Sequence, residues 1–231
     1  LLLAAGQGTR MKSVLPKLLH PLAGQPMVLH SLAAVAQSSD EKPVLVVGFG
    51  AEAVRELVGD KADFVEQPEQ LGTGHAVLQA RGTLQGRAEL VLVLNADMPL
   101  LRGETLQNLV AAQQKNDGPF TMLTVESDNP RGFGRILRGG EGQVLAIVEE
   151  AEATAVQLEI NELNVGAYCF RSDWLWQSLD KLKPSANKGE YYLTDLVGLA
   201  AQAGERVQAL VLEDLSESIG VNTRVHLAQA E

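Results

Sequence analysis

The sequence predicts an α/β fold: a doubly wound, mainly parallel sheet followed by a smaller α+β lobe. Short apolar runs alternate with amphipathic stretches throughout the first half, which is the order of a parallel sheet with helices on both faces. A glycine-containing turn follows the first apolar run directly. The composition is ordinary for a globular chain, with 45% hydrophobic and 21% charged residues over 231 positions. That length suffices for one large domain with a core and a lobe.

Taken in order, residues 1–5 read as a buried strand, 27–37 as a helix, 44–47 as a strand and 51–58 as a helix. Residues 62–66 form a third strand, 74–81 a helix, 90–94 a strongly apolar strand and 104–115 another helix. The second half is mixed. Strands are expected at 121–125, 135–137, 144–148, 163–170 and 207–212, and helices at 174–182, 192–203 and 223–229. No repeat, low-complexity segment or Pro/Ser-rich linker interrupts the chain, so a single unit over 1–231 is expected, its halves meeting near residue 120.

The balance of charges excludes some partners. A net charge of -10 argues against a nucleic-acid polymer, whose phosphates need a basic face. With 4% aromatics, a base-stacking or carbohydrate-stacking platform is not expected. A small anionic ligand held by a few local cations and N–H groups remains compatible with that charge. The single cysteine, Cys169, permits no internal disulfide and reads as a core thiol within an apolar stretch. No apolar run approaches the roughly 18 residues of a membrane helix, and no basic segment precedes the opening leucines, so a cytoplasmic chain without membrane attachment is expected. The chain begins inside a strand without an initiator Met, which reads as trimming.

The turn Leu3-Ala-Ala-Gly-Gln-Gly-Thr-Arg-Met11 lets backbone N–H groups approach a phosphate at Gly6 and Gly8, and Arg10 adds a charge-assisted contact. Met11 stands where a dinucleotide-binding turn needs its third glycine, and no Gly-Lys-Ser/Thr follows, so neither of those motifs is present. Pro16-Lys17 comes shortly afterwards. Further on lie Gln67-Pro-Glu-Gln-Leu-Gly-Thr-Gly-His-Ala76, Asn95-Ala-Asp-Met-Pro99, Gly132-Phe-Gly-Arg-Ile136, Val148-Glu149, Asn161-Glu-Leu-Asn-Val-Gly166, Gly189-Glu-Tyr-Tyr-Leu-Thr-Asp195 and Gly220-Val-Asn-Thr-Arg224. An Asp after the carboxyl end of a buried parallel strand sits where such sheets place ligands, and Mg²⁺ favours one or two protein oxygens together with phosphates.

This series, in this order from Leu1 to about Arg224, resembles the sugar-1-phosphate nucleotidyltransferases. It is most similar to the N-acetylglucosamine-1-phosphate uridylyltransferase domain of bacterial bifunctional enzymes that also carry a glucosamine-1-phosphate acetyltransferase. The resemblance implies a Rossmann-like nucleotide-diphospho-sugar transferase fold and uridylyl transfer from UTP to N-acetylglucosamine 1-phosphate for cell-wall precursor synthesis. It implies that Leu3, Ala4, Ala5, Gly6 and Gly8 hold the nucleotide, that Gln67 and Gly72 read the uracil edge with Thr73 beside it, and that Arg10 and Lys17 neutralise the transferring and departing phosphates. Asp97 and Asn222 would hold Mg²⁺. Asn95, Gly134, Glu149, Asn164, Tyr192 and Thr194 would contact the sugar phosphate. His75 is expected to support the site rather than act as a base, because a sugar phosphate is already ionised at neutral pH.

Two departures stand out: Ala96 replaces a usual glycine before Asp97, and Phe133 replaces a usual tyrosine. If position 96 needs a positive φ, Ala96 strains the site. The same chemistry on glucose 1-phosphate or with dTTP is the nearest alternative, and a catalytically silent nucleotide-sugar-binding homologue is the alternative from another class. The hexapeptide repeats of an acetyltransferase β-helix do not occur in this sequence, and oligomerisation is expected only through such a domain.

Overall fold

In a computed structural model, described for residues 1–130 and 132–231, the strands are β1 (Leu2–Ala4), β2 (Pro21–Leu22), β3 (Gln25–Pro26), β4 (Val44–Val47), β5 (Asp63–Glu66), β6 (Leu90–Asn95), β7 (Phe120–Glu126), β8 (Arg135–Arg138), β9 (Val144–Val148), β10 (Glu162–Arg171) and β11 (Gln208–Val211). The helices are α1 (Met27–Ser38), α2 (Ala51–Val58), α3 (Thr73–Gln79), α4 (Arg81–Leu84), α5 (Gly103–Lys115), α6 (Ala155–Leu158), α7 (Ser172–Leu179), α8 (Asp195–Gln202) and α9 (Arg224–Ala230). Among the described residues one large sheet runs β11-β7-β10-β6-β1-β4-β5, and β8 and β9 form an antiparallel hairpin joined to it through β10. Only β10 opposes its neighbours along that path; β1, β4, β5 and β6 are parallel, as are β7 and β11.

The strands sort their side chains to two faces because successive residues alternate. Val44, Val46, Val91, Val93, Tyr168 and Phe170 meet α3, α7 and α8 on one face. Leu45, Val47, Leu94, Ala167 and Cys169 meet α1, α2 and α5 on the other. Burial on both faces explains why β4 and β6 read as continuous apolar runs. Each fully buried aliphatic side chain contributes roughly 1.5–3 kcal/mol relative to exposure. Burial also pushes the Cys169 thiol up to about 12, as suits an inert core group. No described helix is long and apolar enough to cross a membrane.

The topology positions the site. After β1 the chain moves outward through β4 and β5, then returns to lay β6 on the other side of β1. That reversal opens a crevice at the carboxyl ends of β1 and β6, where open α/β sheets bind ligands. Leu3 and Asn95 are register partners across this crevice.

Two of the differences between expected and observed helices lie beside the site. The helix expected at 192–203 begins only at Asp195, because residues 191–193 are fastened to another part of the chain. The Tyr191 N–H donates to the Leu71 carbonyl (2.8 Å), the Tyr191 carbonyl accepts from Gly74 N–H (2.8 Å), and Leu193 N–H donates to Thr73 Oγ1 (2.9 Å). The helix expected at 74–81 breaks at Ala80, with α3 before it and α4 after.

Candidate active site

Two cavities open at the crevice, and they share Leu3, Thr73, Asn95 and Asp97. The first, of about 370 Å³, is lined by Arg10, Gly134, Glu149, Asn164, Thr194 and Asn222 among others. The second, of about 260 Å³, is lined by Ala5, Gly6, Lys17, Gln67, Gly72 and Tyr192 together with Gln70, Ala76 and Glu190. Most of the residues singled out in the sequence therefore gather at one place. Ala4 does not face it: its side chain points to the opposite side of the sheet, into the core against α1 and α2. Gly8 lies in the turn leading to the cavities, and Tyr192 lies with the glycine turn and Gln67 rather than with Glu149 and Asn164.

Lys17 stands at the seam. Its ammonium donates to Asp97 Oδ2 at 2.5 Å and to Asn222 Oδ1 at 3.2 Å, and the Lys17 and Asp97 side chains are only 11% and 14% exposed. Gly8 makes room for this arrangement, because a Cβ there would stand 2.6 Å from Lys17 Cβ and its φ is +64°. That steric demand is additional to the phosphate approach inferred from the sequence.

Neither of the two oxygen donors caps a helix. The N-cap of α9 is Thr223, whose hydroxyl accepts from His226 N–H at 3.2 Å, and this leaves Asn222 to face Lys17. Asp97 precedes α5 by a loop, and that helix is capped by Arg102, whose N–H donates to the Glu217 carboxylate at 2.9 Å. Val221 N–H donates to the Asp97 carbonyl at 2.8 Å, so the segments carrying Asp97 and Asn222 are tied through backbone. One carboxylate and one amide oxygen converging on a cation are a donor set suited to Mg²⁺ completed by phosphates and water. Among the described residues there is no cluster of three or more His, Cys, Asp and Glu side chains, the pattern of an all-protein metal cage.

Ala96 is silent. It is not among the residues with positive φ, its Cβ is buried with α1 and α5 on the core face, and its carbonyl accepts from Ser31 Oγ at 2.9 Å. No strain arises at this departure from the family pattern.

His75 braces the turn that lines the second cavity. Its ring lies between the amides of Gln67 and Gln79, with Nδ1 and Nε2 each at 3.0 Å, and the Gln67 amide also donates to the Gly72 carbonyl at 3.1 Å. Gln70 donates to the Ala5 carbonyl at 2.9 Å, fixing the turn after β1. The sequence had marked the Gln67–Ala76 segment without singling out Gln70.

On the other side, Thr194 Oγ1 donates to Glu149 Oε1 at 2.9 Å. Asn164 N–H donates to the Gly134 carbonyl at 2.9 Å, so β10 and the loop before β8 bring their residues to the first cavity together. Tyr168, Gly166 and His226 line this cavity without having been given a role in the sequence, and Phe133, noted there only as a departure, lines it too. Gly166, at φ +87°, belongs to the Asn-x-Gly already noted, whereas Tyr168 reads as plain core in sequence.

Burial raises the Glu149 carboxyl above the ordinary carboxylate range, against the lowering effect of the Thr194 hydroxyl; Asp195 and Glu152 push it up further. The native state therefore holds this proton more tightly than the unfolded chain. Its contribution to stability is complete below the ordinary value and declines as pH rises through the native one. A Glu149→Gln variant removes that decline. Its melting temperature relative to the wild-type protein should be higher at pH 7 than at about pH 4, the ordinary glutamate range; an unchanged gap between the two pH values would falsify the assignment.

Comparison with known proteins places the chain in a family. The model of the MobA-like NTP transferase domain matches residues 1–190. Bifunctional protein GlmU of Heliobacterium modesticaldum is 48% identical over 229 residues, covering 99% of this chain and 50% of the relative. Its counterpart in Syntrophotalea carbinolica is 50% identical over 230 residues, covering 99% and 49% respectively. The chain thus spans about half the length of the curated relatives it matches. Among solved structures, a Bacillus anthracis protein provisionally described as a glucose-1-phosphate thymidylyltransferase, crystallised with sucrose, superposes with a TM-score of 0.78 over 99% of this chain and 92% of its own; at 20% identity that likeness concerns the fold. The chain belongs to the MobA-like NTP transferase domain family.

Proposed function

We propose that the chain transfers the uridylyl group of UTP to N-acetylglucosamine 1-phosphate, giving UDP-N-acetylglucosamine and pyrophosphate. The observation that carries this reading is the meeting of two cavities at Asp97 and Asn95, with Lys17, Asp97 and Asn222 at the seam. A nucleotidyl transfer needs two phosphate-bearing substrates end to end, with positive charge at the join. The choice of acceptor rests on the segment Gly189–Asp195, which resembles the N-acetylglucosamine-1-phosphate enzymes and whose Thr194 reaches Glu149. Residues 1–120 would serve mainly the nucleotide and 121–231 mainly the sugar. The reading places the reaction in the cytoplasm, where nucleoside triphosphates are made.

In this reading the nucleotide lies along the turn after β1, with uracil against Gln67, Gly72 and Thr73. The sugar lies against Glu149, Asn164 and Gly134. An oxygen of the sugar phosphate attacks the α-phosphorus of UTP in line, a new P–O bond forms, and the bond to the β-phosphate oxygen breaks with its electron pair leaving on pyrophosphate. The attacking oxygen is already ionised, so no protein base is required. Lys17 and Arg10 neutralise charge as it moves from nucleophile to leaving group. Asp97 and Asn222 would hold Mg²⁺, which when bound supplies further charge neutralisation on the phosphates.

Pyrophosphate release from UTP with N-acetylglucosamine 1-phosphate is the test. Release that requires Mg²⁺ and stops with chelator is expected. Release only with glucose 1-phosphate or only with dTTP would keep the chemistry and change the substrate. No release with any pair would overturn the proposal in favour of a binding protein.

A further inference from the structure

The hydroxyl of Tyr168 has a partner that the proposed reaction makes consequential. Asn164 and Tyr168 lie on the same strand, and along a regular strand side chains so separated stand about 13 Å apart, at roughly 3.3 Å per residue. Here the hydroxyl donates to Asn164 Oδ1 at 2.9 Å. The contact exists because β10 bulges: its pairing with β7 steps from Asn164–Thr124 directly to Tyr168–Met122, and Gly166 in the bulge has φ +87°. Glycine suits this bend because L side chains rarely adopt a φ of +87°, and a Cβ on Gly166 would also displace the Asn95 side-chain nitrogen, 2.6 Å away.

The bulge also supplies a second donor, because Gly166 N–H reaches the same Asn164 oxygen at 3.2 Å. A backbone N–H can only donate, so the atom it faces must be the amide oxygen. With that oxygen occupied by two donors from its own strand, the Asn164 amide cannot flip, and its NH₂ group is the one left to serve the cavity that Asn164 lines. Tyr168 is itself 4% exposed, and its ring lies 5.6 Å from that of Phe170 in the core, so the hydroxyl is delivered from a fixed support. Burial raises its pKa well above the usual tyrosine value, which keeps it protonated and donating.

We infer that Tyr168 is a positioning residue: through the Gly166 bulge it locks the Asn164 side chain as a hydrogen-bond donor toward an oxygen of the sugar substrate. This inference rests on the proposed function, and it selects for an acceptor group, a hydroxyl or carbonyl oxygen, at the sugar position facing Asn164. A sugar offering only a donor or an apolar group there leaves the locked amide unpaired and is discriminated against.

Tyr168→Phe keeps the ring and removes the hydroxyl. With the wild-type enzyme active on UTP and N-acetylglucosamine 1-phosphate, the variant should show a KM for the sugar phosphate raised about five- to tenfold, the KM for UTP and kcat staying within about twofold. In an Asn164→Ala background the same change should add nothing, because its effect passes through Asn164. An unchanged sugar-phosphate KM, a matching rise in the KM for UTP, or additive effects in the double variant would each overturn the inference while leaving the reaction intact. A wild-type enzyme inactive with this pair would instead overturn the underlying reading, and the inference with it.

Discussion

Replacing Asp97 with Asn should lower turnover by on the order of 10²–10³-fold without unfolding the protein, the range seen when one charge-stabilising group is removed from a transition state. Asn is isosteric, so position 97 keeps its backbone tie to Val221, and only the carboxylate charge facing the Lys17 ammonium is lost. Lys17→Ala should cost about 10²-fold or more, since it removes the ammonium while sparing both oxygen donors. The two variants differ in one respect. If Asp97 holds magnesium, raising the magnesium concentration should restore part of the activity of Asp97→Asn and none of that of Lys17→Ala. Steady-state kinetics over a magnesium series decides the matter. Equal rescue of both, or near-normal activity of either, would remove that residue from its assigned role.

How much of this was legible in the sequence depends on whether a residue's chemistry or its geometry carries the role. Lys17, Asp97 and Asn222 are remote from one another along the chain, yet each stands in a motif whose residue types carry phosphate and metal chemistry, and the fold brings them together. The parallel strands were legible for a related reason: burial on both faces leaves β4 and β6 as unbroken apolar runs. Tyr168 was not legible, because an aromatic within Val165–Phe170 satisfies the pattern of a core strand. Its hydroxyl matters only through a bulge that a two-residue period cannot reveal. The start of α8 was misplaced for a similar reason. Residues 191–193 have the composition of a helix start, but their hydrogen bonds go to residues 71–74, a tertiary pairing that overrides local propensity. Ala96 shows the converse: a departure that looked consequential in sequence has no effect on backbone conformation.

That same pairing underlies the second large effect. Gly72 has φ +100° and ψ 177°, a region that essentially only glycine occupies, and a Cβ there would stand 2.6 Å from the Tyr191 carbonyl oxygen and 2.9 Å from its nitrogen. Both obstacles are backbone, and both atoms are hydrogen-bonded to the turn they would have to leave. Gly72→Ala must therefore either bear about 1–3 kcal/mol of backbone strain or part residues 71–74 from 191–193. Parting them displaces the Gly72 carbonyl that Gln67 holds on one side, and the chain leading to Thr194 and Glu149 on the other. The expected result is a lowered urea midpoint together with KM values raised for both substrates, on the order of tenfold or more when binding contacts on each side are disturbed. Gly82→Ala is the matching control, since a Cβ there meets nothing within 4 Å and the site lies within α4, where alanine is the better helix former. A Gly72→Ala protein as stable as the control, with a raised KM for UTP alone, would mean that the two segments move independently. Raised KM values for both would mean that one backbone pairing holds the two halves of the site in register.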